Sequence, residues 1–166
     1  AKITTEEHYK RIGVIGTKST IKSNLYATKI AAINPEIEVR SLATPLLAPM
    51  IEEGFFNNQI SSTVIKSYLS SPRLKKIDAL ILACTHYPLI KADINAFYHG
   101  KVAIVNTAEI VAEHVKHRLQ ALNLLSDVKE PKRHQFYVSD YTSAFEKSTQ
   151  VFFGQKIHLS HKPIWD

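Results

Sequence analysis

A lone thiol with an imidazole two positions further on gives this 166-residue chain its best candidate chemistry. The run Ala79-Leu80-Ile81-Leu82-Ala83 is apolar throughout and ends on Cys84, the one cysteine in the sequence. His86 follows, and Pro88 suits the first position of a helix. A thiol at the carboxyl end of a buried strand, facing a helix start, is where an α/β protein can hold a nucleophile or a base. The ordinary thiol pKa of about 8.5 would be lowered there by a helix start or a neighbouring cation. The plainer alternative is a half-buried structural cysteine beside a surface histidine. A metal site fits poorly, because ligands at i and i+2 need companions and no other histidine has a matching spacing. Thr17 and Thr20 follow the first predicted strand and should emerge at the same edge as Cys84. Their hydroxyls could bind a substrate carboxylate, or simply cap a helix.

The elements that must position these groups alternate between short apolar runs and longer amphipathic stretches. That is the pattern of an α/β fold, doubly wound around a mainly parallel sheet. Strands are predicted at residues 11–15, 36–42, 77–83, 101–105 and 134–138, and helices at 20–33, 57–69, 88–98, 108–122 and 142–153. Ser19 or Thr20 is the expected N-cap of the first helix, and Thr107 that of the fourth. Ile110, Val111, His114, Val115 and Leu119 share one face of the fourth helix, which predicts a core-facing stripe. Ser23 is read as capping or packing, and Tyr87, before a proline, as extended and helping to hold the loop. Residues 1–122 make one α/β domain, 123–133 a polar linker with Pro131, and 134–166 a strand–helix tail. A single strand–helix unit cannot bury its own apolar faces, so the tail should expose apolar surface or dock elsewhere.

Composition sets limits on the partners. Apolar residues make up 45% and charged residues 22%, which is ordinary for a globular domain. No apolar run approaches the roughly 20 residues of a membrane span, and the polar start from Lys2 to Lys10 carries no secretory signal. The net charge of +6 invites a nucleic-acid partner. The basic residues are scattered, however, over Lys18, Lys22 and Lys29, then Arg73, Lys75 and Lys76, then Lys129, Lys132 and Arg133. No aromatic side chains interleave with them, so they are read as solvated surface, with neither nucleic acid nor membrane expected. One free thiol fits a reducing cytoplasm. A start at Ala1 fits an excised or truncated product.

Three segments carry a family resemblance. Ala83-Cys84-Thr85-His86-Tyr87-Pro88-Leu89-Ile90 resembles the second-cysteine motif of the cofactor-independent glutamate racemases. Gly16-Thr17-Lys18-Ser19-Thr20-Ile21-Lys22-Ser23 is similar to their Gly-Thr-x-x-Thr-x-x-Ser turn, and Pro49-Met50-Ile51-Glu52 to their Pro-x-x-Glu segment. Order and spacing agree, and weaker similarity continues through Phe136-Tyr137-Val138-Ser139-Asp140. The family's opening Asp-Ser-Gly and its first cysteine, followed by Asn-Thr, have no counterpart among these residues. An acidic residue tends to follow Cys-Thr in the related aspartate racemases, so His86 favours glutamate.

The resemblance implies an isomerase that interconverts L- and D-glutamate without a cofactor, supplying D-glutamate for peptidoglycan in a bacterial cytoplasm. It implies that Cys84 is one of two acid/base groups and acts on the L-enantiomer. It makes His86 catalytic and lets Glu52 orient it, with Glu53 the solvated neighbour. Thr17, Thr20 and the backbone N–H groups of Thr85 and His86 would bind the substrate. It also implies that the tail belongs to a second domain, and that this chain alone does not racemise glutamate. The second acid/base group would come from an amino-terminal segment, or from another copy in a homodimer. Two other readings remain: a one-thiol hydrolase or lyase on the same fold, and a non-catalytic truncated domain that binds an anion or a partner.

Overall fold

The computed structural model describes residues 8–56, 58–126 and 134–164. The expected helix start at Asn57, the basic residues Lys129, Lys132 and Arg133, and Pro131 of the linker lie outside them. Four strands, β1 (Arg11–Gly16), β2 (Glu38–Ala43), β3 (Ala79–Ala83) and β4 (Ala103–Asn106), form a parallel sheet in the order β2-β1-β3-β4. Helices α1 (Lys18–Lys22) and α2 (Leu25–Ala31) carry the chain from β1 to β2. Return to β3 runs through α3 (Leu47–Glu52), α4 (Gln59–Leu69) and a 3-10 turn, Pro72–Leu74. A second 3-10 turn, Tyr87–Ile90, and α5 (Lys91–Phe97) join β3 to β4, after which α6 (Thr107–Ala121) begins.

Both faces of the sheet are covered, which is why its central strands are apolar at consecutive positions, from Ile12 in β1 and throughout β3, rather than at alternate ones. Ile15, Leu80 and Leu82 pack with Leu47, Ile51, Ile65, Leu69 and Ile94 on one side. Ile12, Val14 and Ile81 pack with Ile30 and Ile37 on the other. Connections leave β1 and β3 in opposite directions, β1 toward β2 and β3 toward β4. Their carboxyl ends therefore open a crevice at the point where strand order reverses, the usual ligand position in such sheets.

Several expectations need correction. The first helix is not continuous: Asn24 adopts a left-handed conformation, φ 53°, and divides α1 from α2. The Ser23 hydroxyl donates to the Thr20 carbonyl at 2.7 Å and accepts from the Leu25 N–H at 3.3 Å, so a side chain supplants the helical ladder there. Thr17, rather than Ser19 or Thr20, caps α1. Asn106, rather than Thr107, caps α6, its side chain accepting from the Ala108 N–H at 3.0 Å. Thr107 instead donates its hydroxyl to the Leu82 carbonyl at 2.9 Å, tying the start of α6 to β3. The apolar stripe of α6 is not core: Val111 and Val115 are 59% and 49% exposed, and no residue of the helix is buried. Ile110 and Leu119 are partly covered, whereas Val111, His114 and Val115 are exposed.

The tail contains more than one strand and one helix. β5 (Phe136–Val138), α7 (Ser143–Phe153) and β6 (Leu159–His161) form a two-stranded parallel unit. Its aromatic residues stay wet, with Tyr137, Phe145, Phe152 and Phe153 each about half exposed. Helices α3 and α7 touch, and Phe152 of α7 reaches His86, which brings the tail to the carboxyl edge of the main sheet.

Burial of Tyr87 and Tyr98 pushes each phenol up to about 12. In the unfolded chain a phenol ionises near pH 10, so above that the unfolded state releases protons that the folded state keeps. The stability from these groups is complete below pH 10 and is lost as pH rises toward 12. The thermal midpoint should therefore fall across that range, and Tyr87→Phe should make the fall shallower.

Candidate active site

β1 and β3 are paired in register, with Gly16 opposite Ala83. Thr17 and Cys84, one residue further along each strand, thus leave the sheet side by side at its carboxyl edge. Gly16 suits this crowded position, because a Cβ would sit 3.2 Å from both the Ala83 carbonyl oxygen and the Thr20 methyl and would push on them. The Thr17 hydroxyl accepts from the Thr20 N–H at 3.2 Å and lies 2.9 Å from the Thr20 hydroxyl. Capping and carboxylate binding are compatible in this arrangement, since the cap uses a lone pair and the Thr17–Thr20 hydroxyl pair needs one of its two hydrogens, leaving the other to donate.

Cys84 turns into a tight bend rather than directly into an α-helix. The Tyr87 N–H closes on the Cys84 carbonyl at 3.2 Å, and the 3-10 turn begins at Tyr87. Tyr87 is accordingly helical, not extended as its place before Pro88 predicted. Cys84 Sγ lies 3.7 Å from His86 Nδ1, and His86 Nε2 lies 3.0 Å from Glu52 Oε1. The three groups form a chain. With the Nε2 proton donated to the carboxylate, Nδ1 presents its lone pair to the thiol.

Glu52 reaches this position because α3 stops there. Gly54 takes φ 79° just beyond the helix, and the Phe55 N–H bonds back to the Met50 carbonyl at 2.9 Å. The last helical residue, Glu52, is left beside His86, and Glu53 lines the adjoining cavity.

The thiol pKa is raised, not lowered as the sequence predicted. Burial is the main cause, and the Glu52 charge adds to it. The backbone of His86 and Tyr87 opposes the rise without cancelling it. Thr85 is exposed at the tip of the bend. Among the described residues, no set of three or more Cys, His, Asp or Glu side chains converges as a metal site would require.

A cavity of about 610 Å³ opens beside His86, lined by Glu52, Glu53, Thr142, Phe145, Phe152 and neighbouring residues of α7. The Phe152 ring meets His86 edge-on with centroids 6.0 Å apart. This aromatic wall escaped sequence reasoning, whose only signal for it was the aromatic spacing of α7.

Relatives with known names share both the sequence and this arrangement of elements. Glutamate racemase of Geobacter metallireducens is 40% identical over 89% of this chain and 54% of its own length. That of Sulfurihydrogenibium is 36% identical over 91% of this chain and 57% of its own. The solved glutamate racemase of Francisella tularensis, in complex with D-glutamate, matches with a TM-score of 0.85 at 34% identity. Over about nine-tenths of its length this chain is similar to glutamate racemases. It spans about half the length of the curated relatives it matches. The Francisella racemase structure covers 98% of this chain, which covers 60% of that one, and a Bacillus anthracis glutamate racemase gives a TM-score of 0.86 at 31% identity. No protein-family model matches the sequence. The doubly wound parallel sheet is therefore a glutamate racemase fold, and the tail is aligned along with it. Among the described residues no helix is long and apolar enough to cross a membrane.

Proposed function

We propose that this chain is the part of a glutamate racemase that presents Cys84 as one of two acid/base groups at the α-carbon. The carrying observation is the chain from Cys84 Sγ through His86 to Glu52, set at the carboxyl edge where strand order reverses. Inverting an α-carbon without a cofactor requires loss of its proton to one face and return of a proton to the other. The intermediate is a flat carbanion between two acid/base groups. Cys84 serves one face, as thiolate when it takes the proton and as thiol when it returns one. Because burial keeps the resting thiol protonated, a base must take that proton before Cys84 can act on L-glutamate. His86 Nδ1 stands in place for that step, and Glu52 stabilises the imidazolium that results. The other face needs a group beyond Cys84, since the sequence holds one cysteine.

Thr17 and Thr20 are assigned to the substrate carboxylates, together with the Thr85 N–H. Residues 1–122 form the racemase-type domain in this reading, and 134–166 belong to a second domain joined by 123–133. The product would be D-glutamate for peptidoglycan, made in a bacterial cytoplasm. The test is a circular dichroism assay of the full-length protein with L-glutamate and nothing added. Signal decay to zero is expected, whereas a hydrolase or lyase would change the amount of glutamate and a binding domain would change nothing.

Thr17→Val separates binding from chemistry. Loss of a hydrogen bond to a charged group costs about 1.5–3 kcal/mol, so KM should rise about 10- to 100-fold while kcat changes little. The lost cap should also lower helix stability by about 1 kcal/mol. Thr17→Ser should restore both, and an unchanged KM in Thr17→Val would remove Thr17 from the substrate site.

A further inference from the structure

We propose that Thr44 is a positioning residue for the Cys84–His86 pair and acts through the phenol of Tyr87. The proposal deepens the acid/base reading of Cys84 and rests on it for its kinetic consequence alone. Thr44 directly follows β2 and is fully buried, as is Tyr87. Its N–H donates to the Gly16 carbonyl at 2.9 Å, and its hydroxyl reaches the same oxygen at 3.3 Å. The Tyr87 hydroxyl lies 2.7 Å from the Thr44 hydroxyl and 3.2 Å from the Thr44 carbonyl oxygen.

One assignment of protons satisfies every contact. Tyr87 O–H donates to the Thr44 hydroxyl, with the Thr44 carbonyl as a longer second acceptor, and Thr44 O–H donates to the Gly16 carbonyl. The result is a directed chain from the reactive bend, across the end of β2, to the last residue of β1. At its other end Tyr87 closes the bend, its N–H bonding to the Cys84 carbonyl at 3.2 Å. Cys84 and His86 thus lie on a bend to which this phenol supplies a buried polar anchor. Thr17, one residue past Gly16, lies at the opposite end of the chain. The same three-group chain therefore sets the sulfur and imidazole relative to the Thr17 hydroxyl.

A merely space-filling role would need the ring of Tyr87 and the bulk of Thr44, but neither hydroxyl. Thr44→Val and Tyr87→Phe keep shape and delete one hydroxyl each, while Thr44→Ser keeps the hydroxyl. The readout is the pH profile of Cys84 alkylation by iodoacetamide in the full-length protein, which requires no turnover of glutamate. Loosening the bend withdraws the backbone N–H groups that stabilise the thiolate. Thr44→Val and Tyr87→Phe should each move the profile upward by about one pH unit, slowing alkylation about tenfold near neutral pH. The double variant should match the singles, because both break one chain, and Thr44→Ser should follow the wild-type profile. In racemisation the two deletions should lower kcat and leave KM nearly unchanged.

Wild-type profiles for both deletion variants, or a Thr44→Ser profile matching Thr44→Val, would overturn the proposal. If Thr44→Val unfolds, Tyr87→Phe decides alone, since it keeps the packed ring. Shifted profiles in a protein without racemase activity would remove the racemase reading and leave the positioning role standing. Unshifted profiles in an active racemase would do the reverse.

Discussion

Replacing Cys84 by Ser in the full-length enzyme should lower racemisation about 10²- to 10⁴-fold, the range expected for loss of a positioned acid/base group. A serine hydroxyl fits the half-buried position but does not ionise near neutral pH. Fold and glutamate binding should survive, because Cys84 contributes little to the core formed by Leu80, Leu82 and Ile90. Circular dichroism at a glutamate wavelength gives the rate, and the far-ultraviolet spectrum verifies the fold. Retained turnover would remove Cys84 from the chemistry, whatever its position on the sheet.

The second large effect belongs to the imidazole relay. His86→Asn removes the group 3.7 Å from the sulfur and should lower kcat about 100-fold for L-glutamate. Glu52→Gln keeps a hydrogen-bond acceptor 3.0 Å from Nε2 but removes the charge, and its loss should be smaller, about tenfold. The order of these effects carries the argument, because Glu52 acts on the thiol through His86. The double variant should therefore be no worse than His86→Asn alone. Additive losses would mean that Glu52 touches the substrate independently. The pH–rate profiles also differ in expectation: with the thiol pKa raised by burial, activity dependent on thiolate should climb as pH rises above the ordinary thiol range.

Local sequence carried much of this arrangement. Short apolar stretches bounded by turn residues located the strands of the main sheet, most clearly β3, whose burial on both faces leaves an unbroken hydrophobic signature. Carboxyl-edge placement of Thr17 and Cys84 followed from strand order alone. Three features were not legible. Helix α3, which is short and contains Pro49, was not among the predicted helices, although Glu52 needs it to reach His86. The break at Asn24 depends on a serine side chain competing with the backbone, and the apolar period runs across it undisturbed. The link between Thr44 and Tyr87 spans 43 positions and exists only because β2, β1 and β3 end together.

The α6 stripe teaches the opposite lesson. Its amphipathic period is real, yet Val111 and Val115 face water among the described residues. Periodicity states that a face is to be covered and does not say by what. The thiol pKa was misjudged for a related reason. A helix start promised a lower value, but the bend after Cys84 is a 3-10 turn, and burial outweighs the N–H groups it offers.

The most direct test of the account combines heavy water with a stoichiometric block of Cys84. The full-length protein is incubated with L-glutamate in heavy water, without cofactor, and deuterium at the α-carbon is followed by proton NMR. Parallel samples are first alkylated with iodoacetamide until intact mass shows one adduct, mapped to Cys84 by peptide sequencing. Untreated enzyme should place deuterium on the α-carbon as D-glutamate forms, and the adduct should stop both. Exchange continuing at the untreated rate in protein fully alkylated at Cys84 would contradict the account.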